Sequence, residues 1–130
     1  MRIVGHGIDI VDIARIERML SDHGERFIER CFTGAERAYC DSGGSRRIER
    51  YAVRFAAKEA AFKALGTGWR SGISWTDVGV VHEPSGSPRL VIAGVFAEFA
   101  RQSGITEWHV SLSHAGSSAI ASVIAVDGAG

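Results

Sequence analysis

The chain has 130 residues, 45% hydrophobic and 23% charged, enough for one compact soluble domain with a single core. Fifteen basic and fifteen acidic residues cancel, which argues against a general nucleic-acid binder, and no stretch reaches the ~20 apolar residues of a membrane span. Asp9 and Asp12 interrupt the apolar N-terminal pattern as no signal peptide does, so the chain reads as cytoplasmic, with Cys31 and Cys40 reduced, semi-buried thiols lacking zinc spacing.

Residues 2–10, RIVGHGIDI, alternate and are β-branched, predicting a strand. The period then changes. Over 12–22, Ile13, Ile16 and Leu20 fall on one helical face and Arg15 and Arg18 on the other. Gly24 is expected to end this helix, with a short second one at 25–31. Thr33 followed by Glu36 has the form of a capping box opening a helix at 34–41. After the loop DSGGS the longest helix is expected over 48–65, stopped by Gly66 and Gly68. Residues 75–82 and 89–92 flank EPSGSP as a hairpin. A helix follows at 93–103, and 109–114 with 119–126 form a second hairpin. The order predicts one domain over 1–130 of α+β class, a largely antiparallel sheet packed against a long helix.

On the long helix, Tyr51, Phe55, Phe62 and Leu65 share one side. Glu59 and Lys63, four apart, lie beside Ala52, Ala56 and Ala60, which would leave a low, open surface for a ligand or another chain. The plain alternative is a solvated Glu–Lys pair worth ~0.2–0.5 kcal/mol. Asp9 sits inside an apolar strand after Gly5 and Gly7 and must find a cation, a donor or water. Asp12 is better placed to cap the next helix, which leaves Asp9 available. Two carboxylates with water and phosphate oxygens are what magnesium prefers. His114, at the end of HVSLSH, could donate to a phosphate, although a lone strand-end histidine is more often structural. His6 and His109 are given no chemical role. No GxxxxGK[ST], GxGxxG opening a helix, or GxSxG is present. The arginines, though balanced overall, cluster early: Arg15, Arg18, Arg26, Arg30 and Arg37, then Arg46, Arg47, Arg50 and Arg54. Such a patch suits an acidic partner or an anionic ligand.

The pieces GHGIDIVDIARIERM, RFIERCFTGAE, RFAAKEAAFKALGTG, SGSPRLVIAG and HVSLSHAGSSAIASVIA span nearly the whole chain. In this order they resemble the holo-acyl-carrier-protein synthases, the small homotrimeric 4′-phosphopantetheinyl transferases. The resemblance implies transfer of 4′-phosphopantetheine from coenzyme A to a serine of apo-acyl carrier protein, in fatty acid biosynthesis, with release of 3′,5′-ADP. It implies that Asp9 and Glu59 ligate Mg²⁺ and that Lys63 neutralises the pyrophosphate. His114 and Arg54 would hold the nucleotide phosphates, and the Gly66–Gly68 turn would bring backbone close to the ligand. Gly86 and Pro88, from a neighbouring subunit, would border the adenine. Arg15, Met19, Arg26, Phe27, Arg30 and Phe55 would touch the carrier protein, whose acidic helix suits exposed arginines. Glu59, Lys63 and His114 would be the catalytic set, with Glu59 or a metal-bound water accepting the serine proton. Glu36 could also reach the site, but its capping role is the stronger expectation. The rival reading from another class is a non-catalytic module that binds acidic proteins through its arginines.

Overall fold

A computed structural model describes residues 1–66 and 72–129. Strand β1 (Arg2–Asp12) leads into helix α1 (Ile13–Cys31), then α2 (Gly34–Asp41) and the long α3 (Arg47–Leu65). Hairpin β2 (Val78–His82) and β3 (Pro88–Ile92) follows, then α4 (Gly94–Gln102) and hairpin β4 (Glu107–Ala115) and β5 (Ser118–Asp127). The first sheet has the order β1-β5-β4, the second pairs β2 with β3, and every pairing is antiparallel. The α+β expectation and the element order agree with this. No described helix is long and apolar enough to cross a membrane.

The local signals that set helix starts are present in atomic form. Asp12 accepts from the Ala14 amide at 3.2 Å and caps α1. The Thr33–Glu36 capping box closes in both directions, at 3.1 and 2.9 Å. Gly24 breaks the helical run as expected, and the two helical stretches that together make α1 meet there at a kink. Its φ of 45° is the left-handed region glycine tolerates, and the chain continues helically to Cys31.

The sheet and α3 meet at unusually short range. A Cβ placed on Gly7 would lie 1.9 Å from the Ala60 carbonyl oxygen, and one on Gly5 would lie 1.9 Å from that of Ala64. Backbone therefore packs on backbone, with alanine the largest side chain the helix offers there. Ala52, Ala56 and Ala60 are wholly buried, so the alanines form the floor under the sheet and not the open surface expected of them. In β5 the alanines face the same way. Ala119, Ala121 and Ala125 are buried, while Ile120, Ser122 and Ile124 point to the other face.

A buried ion pair ties α2 and β2 to α3. Lys58 Nζ donates to Glu36 Oε1 at 2.7 Å, to the Trp75 carbonyl at 3.3 Å and to the Val78 carbonyl; neither side chain has any exposed surface. Glu36 Oε2 accepts from the Val80 amide at 3.0 Å. Glu36 thus caps α2 and anchors Lys58 with one carboxylate, so both charges keep partners where an unpaired one would be very costly. Burial also pushes the Cys31 thiol up to about 11 and Cys40 up to about 12, so both remain protonated at neutral pH.

The Gly7 contact gives a direct test. Gly7→Ala forces α3 away from β1 and should cost roughly 3 kcal/mol, the upper end of overpacking penalties. Gly34→Ala, with open space around its Cβ and no positive φ, should be neutral. Denaturant unfolding of both variants measures this; equal stability would refute the close-packing account.

Candidate active site

The inward positions of β1 run Gly5, Gly7, Asp9, Val11. The two glycines seat the strand on Ala64 and Ala60, so the next inward residue, Asp9, arrives beside the Glu59 and Lys63 turn of α3. Lys63 Nζ donates to Asp9 Oδ1 at 2.9 Å and to the Ile8 carbonyl at 3.0 Å. Asp9 keeps 15% of its side chain exposed and Lys63 keeps 55%. Burial, and then the negative charge of Asp9, push the Glu59 carboxyl above the ordinary glutamate range; Lys63 and Arg15 partly oppose the shift. Asp9 and Glu59 thus bring two carboxylates to one place, with the Lys63 ammonium as their counter-charge. Among the described residues no group of three or more acidic, histidine or cysteine side chains gathers that could hold a metal ion. A hard ion held here would draw the rest of its shell from water and substrate oxygens, the habit of magnesium at phosphate sites.

Glu59 also lines a groove of about 560 Å³, and so do all six residues expected at the carrier surface: Arg15, Met19, Arg26, Phe27, Arg30 and Phe55. The walls combine apolar side chains with three arginines. Trp75 stacks on Phe55 at 4.9 Å, and the Arg15 guanidinium lies 5.8 Å over the same ring. The kinked α1 carries Arg15, Arg26 and Arg30 to this groove.

Arg54 and His114 lie elsewhere. They line a second cavity of about 160 Å³, together with Arg46, Arg50, Tyr39 and His82, and none of the described residues borders both cavities. Five positions separate Arg54 from Glu59, about 140° around the helix. Within one copy of the chain, the residues expected at the metal and those expected at the nucleotide phosphates are therefore not brought together. The second cavity gathers three arginines, with Glu49 as its one carboxylate among the described residues. Arg54 is 2% exposed and its Nε has no hydrogen-bond partner, a donor left unsatisfied. Its other nitrogens bond the Arg50 carbonyl at 3.1 Å and His82 Nδ1 at 3.3 Å. Burial, then Arg54 and Arg50, hold His82 below the ordinary histidine range, which leaves Nδ1 free to accept. Tyr39 is sandwiched: its ring is 4.8 Å from that of His82, with Arg50 and Arg54 at 4.1 and 4.4 Å from its centroid. His114 pairs with Glu49 at 2.8 Å.

Gly66 ends α3 in the left-handed conformation at φ 82°, as expected of a helix stop. Gly68 lies outside the described residues. Gly86, at φ 92°, turns the exposed β2–β3 hairpin and Pro88 opens β3; neither borders either cavity. Arg46 and Arg50 belong to the basic patch expected to suit an acidic partner or an anionic ligand, whereas the sequence assigns no role to Tyr39, His82 or Lys58. The spacing of Arg46, Arg50 and Arg54, each four apart, was an available signal for a cationic helix face.

The model of the 4′-phosphopantetheinyl transferase superfamily matches residues 5–124. The chain belongs to that family. It is 49% identical over 131 residues to the holo-[acyl-carrier-protein] synthase of Anaeromyxobacter dehalogenans strain 2CP-C, covering 98% of each chain. Its fold superposes on the crystal structure of the corresponding synthase from Neisseria meningitidis with a TM-score of 0.88 at 33% identity, covering 96% of this chain and 99% of that one. The Helicobacter pylori synthase, solved in complex with coenzyme A, matches with a TM-score of 0.81 at 31% identity, covering 93% and 99%. The family thus shares the whole fold, including the strand and helix that carry Asp9, Glu59 and Lys63.

The electrostatics at Glu59 have a definite sign. Carbon-detected NMR titration should find its carboxyl above the ordinary glutamate range. Asp9→Asn should move it down and Lys63→Met should move it further up; a Glu59 titration indifferent to both would contradict the geometry.

Proposed function

We propose that this chain transfers the 4′-phosphopantetheine group of coenzyme A to a serine hydroxyl of an apo-acyl carrier protein. The observation that carries the reading is Glu59, under the charge of the Asp9–Lys63 ion pair, on the wall of the arginine- and aromatic-lined groove. The serine oxygen bonds to the β-phosphorus of coenzyme A. The bond from that phosphorus to the bridging oxygen breaks, and its electron pair leaves with 3′,5′-ADP. Charge grows on phosphate oxygens, so positioning and cations matter more than covalent help.

Asp9 and Glu59 would hold a Mg²⁺ ion, which would supply charge neutralisation at the pyrophosphate. Lys63, exposed enough to move, adds a second positive charge. Glu59, or a water on the metal, would accept the serine proton. On the groove, Arg15, Arg26 and Arg30 present cations to an acidic helix of the carrier, while Met19, Phe27 and Phe55 give it an apolar seat. Arg54 and His114, with the unpaired Nε of Arg54, suit the nucleotide phosphates. Gly66 and Gly68 would border the ligand, as would Gly86 and Pro88 from a neighbour.

The separation of the two cavities supports an assembly in which one copy supplies the metal side and another the phosphate side. A homotrimer is the form the resemblance implies. The outer face of the β1-β5-β4 sheet offers the surface. Ile8 and Ile10 are 60% and 63% exposed, and Ile120 and Ile124 flank them on β5. A monomer leaves such a patch open to water, which is unusual unless something covers it.

Incubation with coenzyme A, Mg²⁺ and an apo carrier protein, read by mass spectrometry, tests the activity. A mass gain on the carrier is expected, while Asp9→Ala and Glu59→Ala should each lower turnover by several orders of magnitude with the fold intact. Binding without modification would favour the non-catalytic module. Charge reversal at Arg15 or Arg26 should raise KM for the carrier and leave that for coenzyme A nearly unchanged, and added salt should act in the same direction.

Assembly is tested separately. Sedimentation should give a trimer. Ile124→Glu should dissociate it and remove transfer together, whereas a fully active monomer would overturn the shared-site reading.

A further inference from the structure

Lys63 lies where an incoming cation would be needed. Its ammonium bonds Asp9 Oδ1 and is anchored a second time on the Ile8 carbonyl, and Coulomb attraction reaches Glu59 as well. The two carboxylates of the cluster are therefore partly neutralised before any metal arrives. We propose that Lys63 is the resident counter-ion of this pair, a placeholder that must release Asp9 for a divalent ion to bind and does so readily only when an anionic substrate offers it a new partner.

The inference rests on the transferase reading for the identity of that substrate but concerns the free chain first. A divalent ion that enters alone has to displace the ammonium from Asp9 or share the carboxylate with a like charge, and either route weakens its binding. With half its side chain exposed, Lys63 has room to swing, and the move gives up only the contacts to Asp9 and Ile8. A pyrophosphate beside the site restores an ion pair to the displaced ammonium. Metal and substrate then favour one another's binding, and by linkage each tightens the other by the same factor. The contact also has a benefit in the free protein. It holds the Asp9 carboxylate in one orientation next to Glu59, which limits the reorganisation left for the loaded state.

Calorimetric titration of the full chain with Mn²⁺, alone and with saturating coenzyme A, provides the test. Lys63→Met should bind Mn²⁺ alone on the order of tenfold more tightly than the wild type, because a unit positive charge a few ångströms from a divalent ion has gone. Lys63→Arg, which keeps a cation there, should stay near the wild-type value. Adding Asp9→Asn to Lys63→Met should cancel the gain. Coenzyme A should tighten Mn²⁺ binding more in the wild type than in Lys63→Met. Equal Mn²⁺ affinity for wild type and Lys63→Met, with both folded by circular dichroism, overturns the proposal, as does an equal effect of coenzyme A on the two. If coenzyme A fails to bind at all, the transferase reading falls, while the comparison with metal alone still decides the role of Lys63.

Discussion

The approach of β1 to α3 fixes almost everything that follows in this molecule. Two glycines on one face of the strand meet two alanine turns of the helix, and no side chain intervenes. Helix and sheet ordinarily sit about 10 Å apart because side chains fill the space between them. Removing those side chains lets Asp9 reach the lysine one helical turn beyond Glu59. The same contact hides the alanines of α3, which leaves Glu59 and Lys63 as the polar features on that flank. The site is thus a by-product of packing: the chemistry sits at the first inward residue after the glycines where the strand again carries a side chain able to act.

A second constraint comes from α3 itself. One rigid helix presents Glu59 to one cavity and Arg54 to another, about 140° away. The intrinsic stiffness of the helix keeps these faces apart, so no hinge within the chain could merge them. The buried Lys58–Glu36 pair strengthens this arrangement by clamping β2 and the Trp75 turn to the same helix between the two faces. A charge pair of this kind adds little net stability beyond a well-packed apolar replacement, but its bonds are directional. They fix where the aromatic wall of the groove stands relative to Glu59.

How much of this was legible in the sequence depends on the range of the interaction. Caps and stops are local, and Asp12, the Thr33–Glu36 box and Gly66 could be read directly because their partners lie within a few residues. The break at Gly24 is equally local, a positive φ that the glycine itself permits. The alanines beside Glu59 were read as an open surface because small side chains mark both exposed clefts and close contacts; the partner, Gly5 and Gly7, lies more than fifty residues away. Lys58 escaped notice for a similar reason. In a helix rich in charges nothing local separates a buried lysine from a solvated one, and its partner Glu36 had already been assigned to a cap. The grouping of Asp9 with Glu59 came from the resemblance and not from spacing, since no local rule connects strand β1 to helix α3.

The alternation of β1 couples two requirements that might have been kept separate. Odd-numbered positions from Gly5 to Val11 face the helix, while Ile8 and Ile10 face outward, and successive residues cannot exchange faces without slipping the whole strand. Deleting Ile8 with the two glycines kept in place would turn the carboxylate toward the outer face and bring Ile10 inward in its stead. Changes of length are therefore closed to this strand. The evolutionary freedom of the fold is confined to places such as the tip of the β2–β3 hairpin, where residues can be gained or lost without altering the reading frame of the sheet.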